Sequence, residues 1–207
     1  MCIRDSWCER LAPHGLELVQ LRIKDMEEQA LRAEVRRARD ICARHGTTLV
    51  INDYWRIAMD EGCDFVHLGQ EDLAEADIPA IRRAGMRLGL STHDRAELDT
   101  ALAVRPDYVA LGPIWPTILK AMKWDPQTPQ RLREWKDAIG ELPLVAIGGL
   151  TVERADAVFD NGADCAAVVT DVLRAASPEA RLAQWLRKTH TPQSVSYTHL
   201  TLPTTPY

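Results

Sequence analysis

The stretch LELVQLRIKDMEEQALRAEVRRARDICARHGTTLVIND, residues 16–53, decides the fold. It opens with one apolar run, LELVQL (16–21), and closes with another, TTLVI (47–51). Between them Leu31, Val35, Ala38 and Cys42 recur at helical spacing. Asp25 stands where a capping residue is expected, Glu28 follows three residues later, and Gly46 is placed to end the helix in left-handed geometry. A strand, an amphipathic helix and a second strand in that order make a right-handed crossover, and therefore a parallel pair.

The same alternation continues outward through DFVHL (64–68), MRLGL (86–90), DYVALG (107–112), PLVAIG (143–148) and CAAVV (165–169), each separated by a longer amphipathic stretch. Thr151 precedes a helix expected to stop near Asn161-Gly162, and Ser177-Pro178 opens the last one with a cap and a first-turn proline. The class is α/β. An open doubly wound sheet accommodates this pattern, but regular spacing without a GxGxxG turn favours a (β/α)8 TIM barrel. One strand is then lacking. Because WCERLAP (7–13) reads as the end of a helix leading into LELVQL, the expected loss is the first strand, through N-terminal truncation.

A length of 207 residues with 46% apolar composition predicts a single domain. The opening MCIRDS (1–6) and the tail SVSYTHLTLPTTPY (194–207) resemble translated adapter read-through, so the barrel domain is expected to span 7–193. A net charge of -5 and 27% charged residues exclude the basic footprint of a nucleic-acid binder or a polybasic membrane anchor. No run approaches a membrane span. Five cysteines without a CxxC pair indicate neither a zinc site nor a disulfide framework, and the expected compartment is the cytoplasm.

In a barrel of this kind the chemistry lies at the carboxyl ends of the strands. Gln20, Arg22 and Lys24 alternate at period two, so their side chains point one way, and two cations with an amide suit a diphosphate. Asp53 ends one strand and Asp72 follows the next. Neighbouring parallel strands lie about 4.8 Å apart, so both carboxylates can reach one divalent cation, for which Mg2+ is the natural choice. The bland alternatives are an Asx turn at Asn52-Asp53 and a helix cap at Asp72. Gly148, Gly149, Val169 and Thr170 end the last two strands, the corner where this fold commonly binds phosphate; close helix packing explains a Gly-Gly equally well. GPIWPTILK (112–120) carries Thr117 and Lys120 toward the mouth. Ser91 offers a hydroxyl to phosphate or a cap to a helix, and His67, within an apolar strand, reads as a satisfied core histidine.

Taken in order, QLRIK, INDYWRIA, HLGQEDL, GLSTH, DYVALGPIWPT with Lys120, VAIGGL and GADCAAVVT resemble thiamine phosphate synthase over residues 7 to about 190. The resemblance implies a cytoplasmic transferase. It would join 4-amino-2-methyl-5-(diphosphooxymethyl)pyrimidine to a thiazole phosphate, giving thiamine phosphate and diphosphate with Mg2+ as cofactor. It implies pyrimidine-diphosphate contacts from Gln20, Arg22, Lys24, Asn52, Ser91 and Lys120, magnesium ligands Asp53 and Asp72, and thiazole-phosphate contacts from Thr117 to Leu119, Gly149, Val169 and Thr170. Of these, Arg22, Lys24, Lys120 and Ser91 are expected to act on the reacting groups. The partners are small-molecule substrates, with homo-oligomerisation compatible and neither nucleic acid nor membrane expected. Leu119 departs from the family's usual PTxTK loop and removes one phosphate hydroxyl. The competing readings are a thiazole tautomerase-like isomerase on the same barrel, which would be magnesium-independent, and a non-catalytic phosphate- or thiamine-precursor-binding module.

Overall fold

The computed structural model describes residues 2–3, 5–117 and 124–189. In chain order the elements are β1 (Cys2–Ile3), α1 (Asp5–Leu11), β2 (Leu18–Leu21), α2 (Glu28–His45), β3 (Thr48–Asn52), α3 (Trp55–Asp60), β4 (Phe65–Leu68), α4 (Gln70–Glu75) and α5 (Ile78–Arg83). They continue with β5 (Arg87–Thr92), α6 (Arg95–Ala103), β6 (Tyr108–Leu111), α7 (Thr128–Ile139), β7 (Leu144–Ile147), α8 (Ala155–Phe159), β8 (Cys165–Ala167), α9 (Thr170–Leu173) and α10 (Pro178–Thr189). The strands form one parallel sheet in sequential order.

All seven apolar runs of the sequence become strands, β2 to β8. The first-strand position, expected to be empty, holds Cys2–Ile3, which pairs with Gln20 and Leu21 of β2. An open β2 edge presents unpaired N–H and C=O groups, and an extended segment of only two residues satisfies part of it. A second difference concerns the start of α2. Its cap is Glu27, whose carboxylate accepts a hydrogen bond from Ala30 N at 3.1 Å, and not Asp25. Asp25 has φ +57°, outside the extended region that an N-cap occupies. Gly46 ends the helix with φ +66°, as its position predicts. At α10, Ser177 Oγ accepts from Ala180 N and Pro178 takes the first turn.

The sheet is curled, and its two faces bury different side chains. Outward-facing residues such as Leu21, Ile51, Leu68, Leu90 and Leu111 join the helices in one large apolar cluster. Inward-facing ones form a second, smaller cluster of Val50, Phe65, Tyr108 and Ala110, with Leu18, Val145 and Ile147 against it. Contact across β2, β3, β4, β6 and β7 in that small cluster requires a concave face. Gly89 makes the face possible: a Cβ there would lie 2.1 Å from Tyr108 Cζ, so only glycine admits the ring. Around the outside, Arg10 of α1 forms an ion pair with Glu179 of α10, bringing the first and last helices together.

At the amino ends of the strands, acids tie neighbouring strands to each other. Asp107 accepts from Leu88 N at 2.7 Å while pairing with Arg82, and Asp164 accepts from Leu144 N at 2.8 Å while pairing with Lys136. The opposite, carboxyl ends are left to the site.

Candidate active site

Period-two alternation carries β2 past its last ladder position. Ile23 is buried, while Arg22 and Lys24 on either side of it are exposed and Gln20 is half-buried. Arg22 makes no hydrogen bond among the described residues. Lys24 Nζ lies 3.6 Å from an Asp53 carboxylate oxygen.

Asn52 is the last residue of β3 and is buried. Asp53 follows with φ +66°, its N–H donating to His67 O of β4 at 2.9 Å. This left-handed turn aims the Asp53 carboxylate toward the first turn of α4, where Asp72 sits. Asp72 does not cap that helix, whose N-cap position is Gly69. Its carboxylate instead folds over Gly69, 3.1 Å from where a Cβ would be. Burial, together with the neighbouring Asp72 charge and a shared hydrogen bond, pushes the Asp53 carboxyl above the ordinary carboxylate range; Lys24 and Arg22 offset part of the effect. A cavity of about 360 Å3 opens beside the pair, lined by Asp53, Tyr54, Trp55, Arg56, Asp72 and Glu75 among others. No third His, Cys, Asp or Glu among the described residues completes a metal-binding group with them. Two crowded carboxylates beside open volume fit a cation that takes few protein ligands and keeps water and substrate oxygens, as Mg2+ does.

Ser91 lies in β5 facing inward, and its backbone carbonyl accepts from Gln70 Nε2 at 2.6 Å. It caps no helix, for Asp94 caps α6 by accepting from Glu97 N. His93 pairs with Glu97 at 2.7 Å and stacks on Trp124 at 5.5 Å between centroids. His67 is buried as expected, with both ring nitrogens partnered: Nδ1 is 2.7 Å from Tyr108 Oη and Nε2 is 2.8 Å from Ser91 Oγ. Burial pushes its imidazole down to about 4, so the ring is neutral at pH 7.

The loop after β6 is anchored at both ends. Ile114 N donates to Ile147 O and Trp115 N to Gly148 O, while Gln127 N and Thr128 N donate back to Pro113 O and Ile114 O. Thr117 is half-buried at its rim. Lys120 and Leu119 lie outside the described residues. Gly148 and Gly149 have φ of +95° and +66°, and a Cβ on Gly149 would lie 2.7 Å from Pro116 O. Arg154 holds this corner, donating to Gly149 O at 2.6 Å and lying over the Trp115 ring. Val169 and Thr170 follow β8 at the start of α9, both half-buried.

The structure therefore gathers Lys24, Arg22, Asp53 and Asp72 into one cluster, and links Ser91 to His67 and Tyr108. Reading strand ends misses Tyr108, which lies at the opposite end of its own strand, and Arg154, which lies five residues beyond Gly149. The available signal for Tyr108 was Gly89, a glycine inside a strand, which marks a close approach.

Comparison with known proteins matches residues 4–172 to the family model described as thiamine monophosphate synthase. The chain is 65% identical over 184 residues to a thiamine-phosphate synthase of Rhizobium etli, covering 89% of this chain and 90% of that one. It is 47% identical over 175 residues to a thiamine-phosphate synthase of Neisseria meningitidis, covering 84% and 85%. Among solved structures, the thiamine phosphate pyrophosphorylase of Pyrococcus furiosus superposes with a TM-score of 0.80 at 21% identity, covering 89% of this chain and 88% of that one, a likeness of fold.

Proposed function

This chain belongs to the thiamine monophosphate synthase family, and from that premise we propose how its strand ends perform the reaction. The enzyme is a transferase that condenses 4-amino-2-methyl-5-(diphosphooxymethyl)pyrimidine with a thiazole phosphate, releasing diphosphate. Its sheet closes as a (β/α)8 barrel, a reading supported by the pairing of α1 with α10 and by the separate apolar cluster on the concave face. No helix among the described residues is long and apolar enough to cross a membrane.

The observation that carries the assignment is the cluster of Asp53, Asp72 and Lys24 beside the exposed Arg22 fork. Asp53 and Asp72 would hold Mg2+, which supplies positive charge to the diphosphate oxygens. Arg22 and Lys24 bind the same diphosphate, with Gln20 and Asn52 orienting the pyrimidine end and Ser91 donating from β5. The C–O bond breaks with its electron pair leaving on diphosphate, and the residual pyrimidine methyl cation is stabilised by the ring amino group. The cations at the mouth take up the growing charge of the leaving group in a site already arranged to receive it. Lys120, from the loop after β6, joins them. The thiazole nitrogen then attacks the methyl carbon with a lone pair that needs no deprotonation, so positioning takes the place of a general base. Gly148, Gly149, Val169, Thr170 and Thr117 hold the thiazole phosphate.

The test is product formation by the full chain across a magnesium titration, comparing wild type with Asp53→Asn and Asp72→Asn. Asparagine tolerates the left-handed backbone at 53, so folding should survive. Loss of magnesium-dependent turnover at unchanged melting temperature is the expected result. Wild-type magnesium dependence in both variants would remove the metal assignment.

A further inference from the structure

Behind Ser91, the inner face of the sheet carries two polar side chains, His67 and Tyr108, that the reaction outlined above leaves unused. Tyr108 in β6 stands beside Gly89 in β5, and the missing Cβ of that glycine lets the phenol ring lie flat across the barrel interior. The ring stacks on His67 of β4 with centroids 5.5 Å apart and planes 18° apart, and Phe65 meets its edge at 5.6 Å. This packing holds His67 between two hydroxyls. Nδ1 is 2.7 Å from Tyr108 Oη, and Nε2 is 2.8 Å from Ser91 Oγ. Among the described residues no carboxylate hydrogen-bonds the ring, and the Ser91 hydroxyl makes no other hydrogen bond. A neutral imidazole has one donor nitrogen and one acceptor nitrogen, so the chain has a polarity and only two are available.

Chemistry separates the two. A phenol is a far stronger acid than an aliphatic alcohol, and an imidazole nitrogen accepts better than a phenol oxygen. Donation from tyrosine to histidine to serine places the best donor at the buried end and a serine oxygen at the receiving end. The reverse polarity has the weaker acid donating and the phenol oxygen accepting. Hydrogen bonds in such a chain reinforce one another when they run one way.

We infer that His67 and Tyr108 are positioning residues for the transferase: Tyr108 donates to His67 Nδ1, His67 donates from Nε2 to Ser91 Oγ, and the Ser91 hydroxyl proton is thereby reserved for an acceptor on the pyrimidine diphosphate. Without this relay the Ser91 hydroxyl turns inward to satisfy Nε2 and presents only a lone pair to an anionic substrate. The inference rests on the proposed contact between Ser91 and that substrate. Gln70 supports it from the other side, fixing the Ser91 backbone through its carbonyl.

Two measurements test it on the full chain. Long-range 15N spectra of histidine-labelled protein, with His67 assigned by its loss in His67→Gln, should place Nδ1 in the pyridine-like region and Nε2 in the pyrrole-like region. The opposite pattern overturns the polarity and needs no altered protein to be active. In steady-state kinetics, Tyr108→Phe and Ser91→Ala should each lower kcat on the order of tenfold to a hundredfold, the effect of losing one hydrogen bond to a charged group. Tyr108→Phe/Ser91→Ala should be no slower than Ser91→Ala alone, since the relay acts only through that hydroxyl. Additive losses overturn the relay while leaving Ser91 in place as a substrate contact. Wild-type kcat in Ser91→Ala refutes that contact, and the relay with it.

Discussion

Acid should destabilise this protein through His67 in a way that one substitution removes. Its imidazole is buried among Tyr108, Ser91 and the inner face of the sheet, and burial pushes it from 6.5 down to about 4. Above pH 6.5 neither folded nor unfolded chain binds a proton there, and the contribution of the neutral ring is fully present. As pH falls the unfolded chain takes up the proton first, so stability is lost between 6.5 and about 4. Worked through for a drop from about pH 7.5 to about pH 4.5, those two values give a loss of about 2–3 kcal/mol from this one group. The assay is urea unfolding followed by tryptophan fluorescence at both pH values, for wild type and His67→Gln. Glutamine keeps a polar group in the slot and does not titrate in this range. Carboxylates such as Asp53 titrate in both proteins, so the difference between the two acid-induced losses isolates His67. Wild type should lose about 2–3 kcal/mol more than the variant. Equal losses would mean that the ring is protonated, or hydrated, in the folded state, and the account of the inner face would fail.

Three further outcomes follow from particular contacts. Gly89→Ala puts a Cβ 2.1 Å from Tyr108 Cζ, so the ring must move within a packed interior; the expected cost is about 1–3 kcal/mol in chemical denaturation, most of it recovered in a Tyr108→Leu background. Gly149→Ala combines a left-handed φ of +66° with a 2.7 Å approach to Pro116 O, and should displace the loop that bears Thr117. Kinetics should then show KM for the thiazole phosphate raised on the order of tenfold, with KM for the pyrimidine diphosphate nearly unchanged. Asp164→Ala removes an acceptor shared by Leu144 N and Lys136 at the far ends of the strands, and should cost about 1–2 kcal/mol in urea titrations while kcat stays at the wild-type value.

The order of elements was legible in the sequence because parallel strands buried on both faces must be continuous apolar runs, and β2 to β8 fall on the seven such runs. The clustering of Asp53 with Asp72 was legible for a related reason. Residues that end a strand are placed by the chain itself, so Asp53 after β3 and Asp72 after β4 are brought together once the fold is known. Finer features required the third dimension. Asp25 has the right residue type to cap α2, yet its left-handed backbone transfers the task to Glu27. Arg154 reaches back to Gly149 O across a turn whose path no local pattern specifies.

The relay shows why this division falls where it does. His67, Ser91 and Tyr108 sit on three strands, β4, β5 and β6, in successive register, His67 beside Gly89 and Gly89 beside Tyr108. Alternation says only that each faces inward; it says nothing about height along the sheet. Tyr108 begins its strand and Ser91 nears the end of its own, yet the curl of the sheet and the length of a phenol ring bring both hydroxyls to one imidazole. That meeting depends on Gly89, because any side chain there occupies the space of the ring. A polar group deep in an apolar face is costly unless partnered, and each member of this chain supplies the partner the next one needs. The burial that makes His67 hard to protonate thus keeps its two nitrogens distinct, and it is that distinction which gives Ser91 a direction in which to donate.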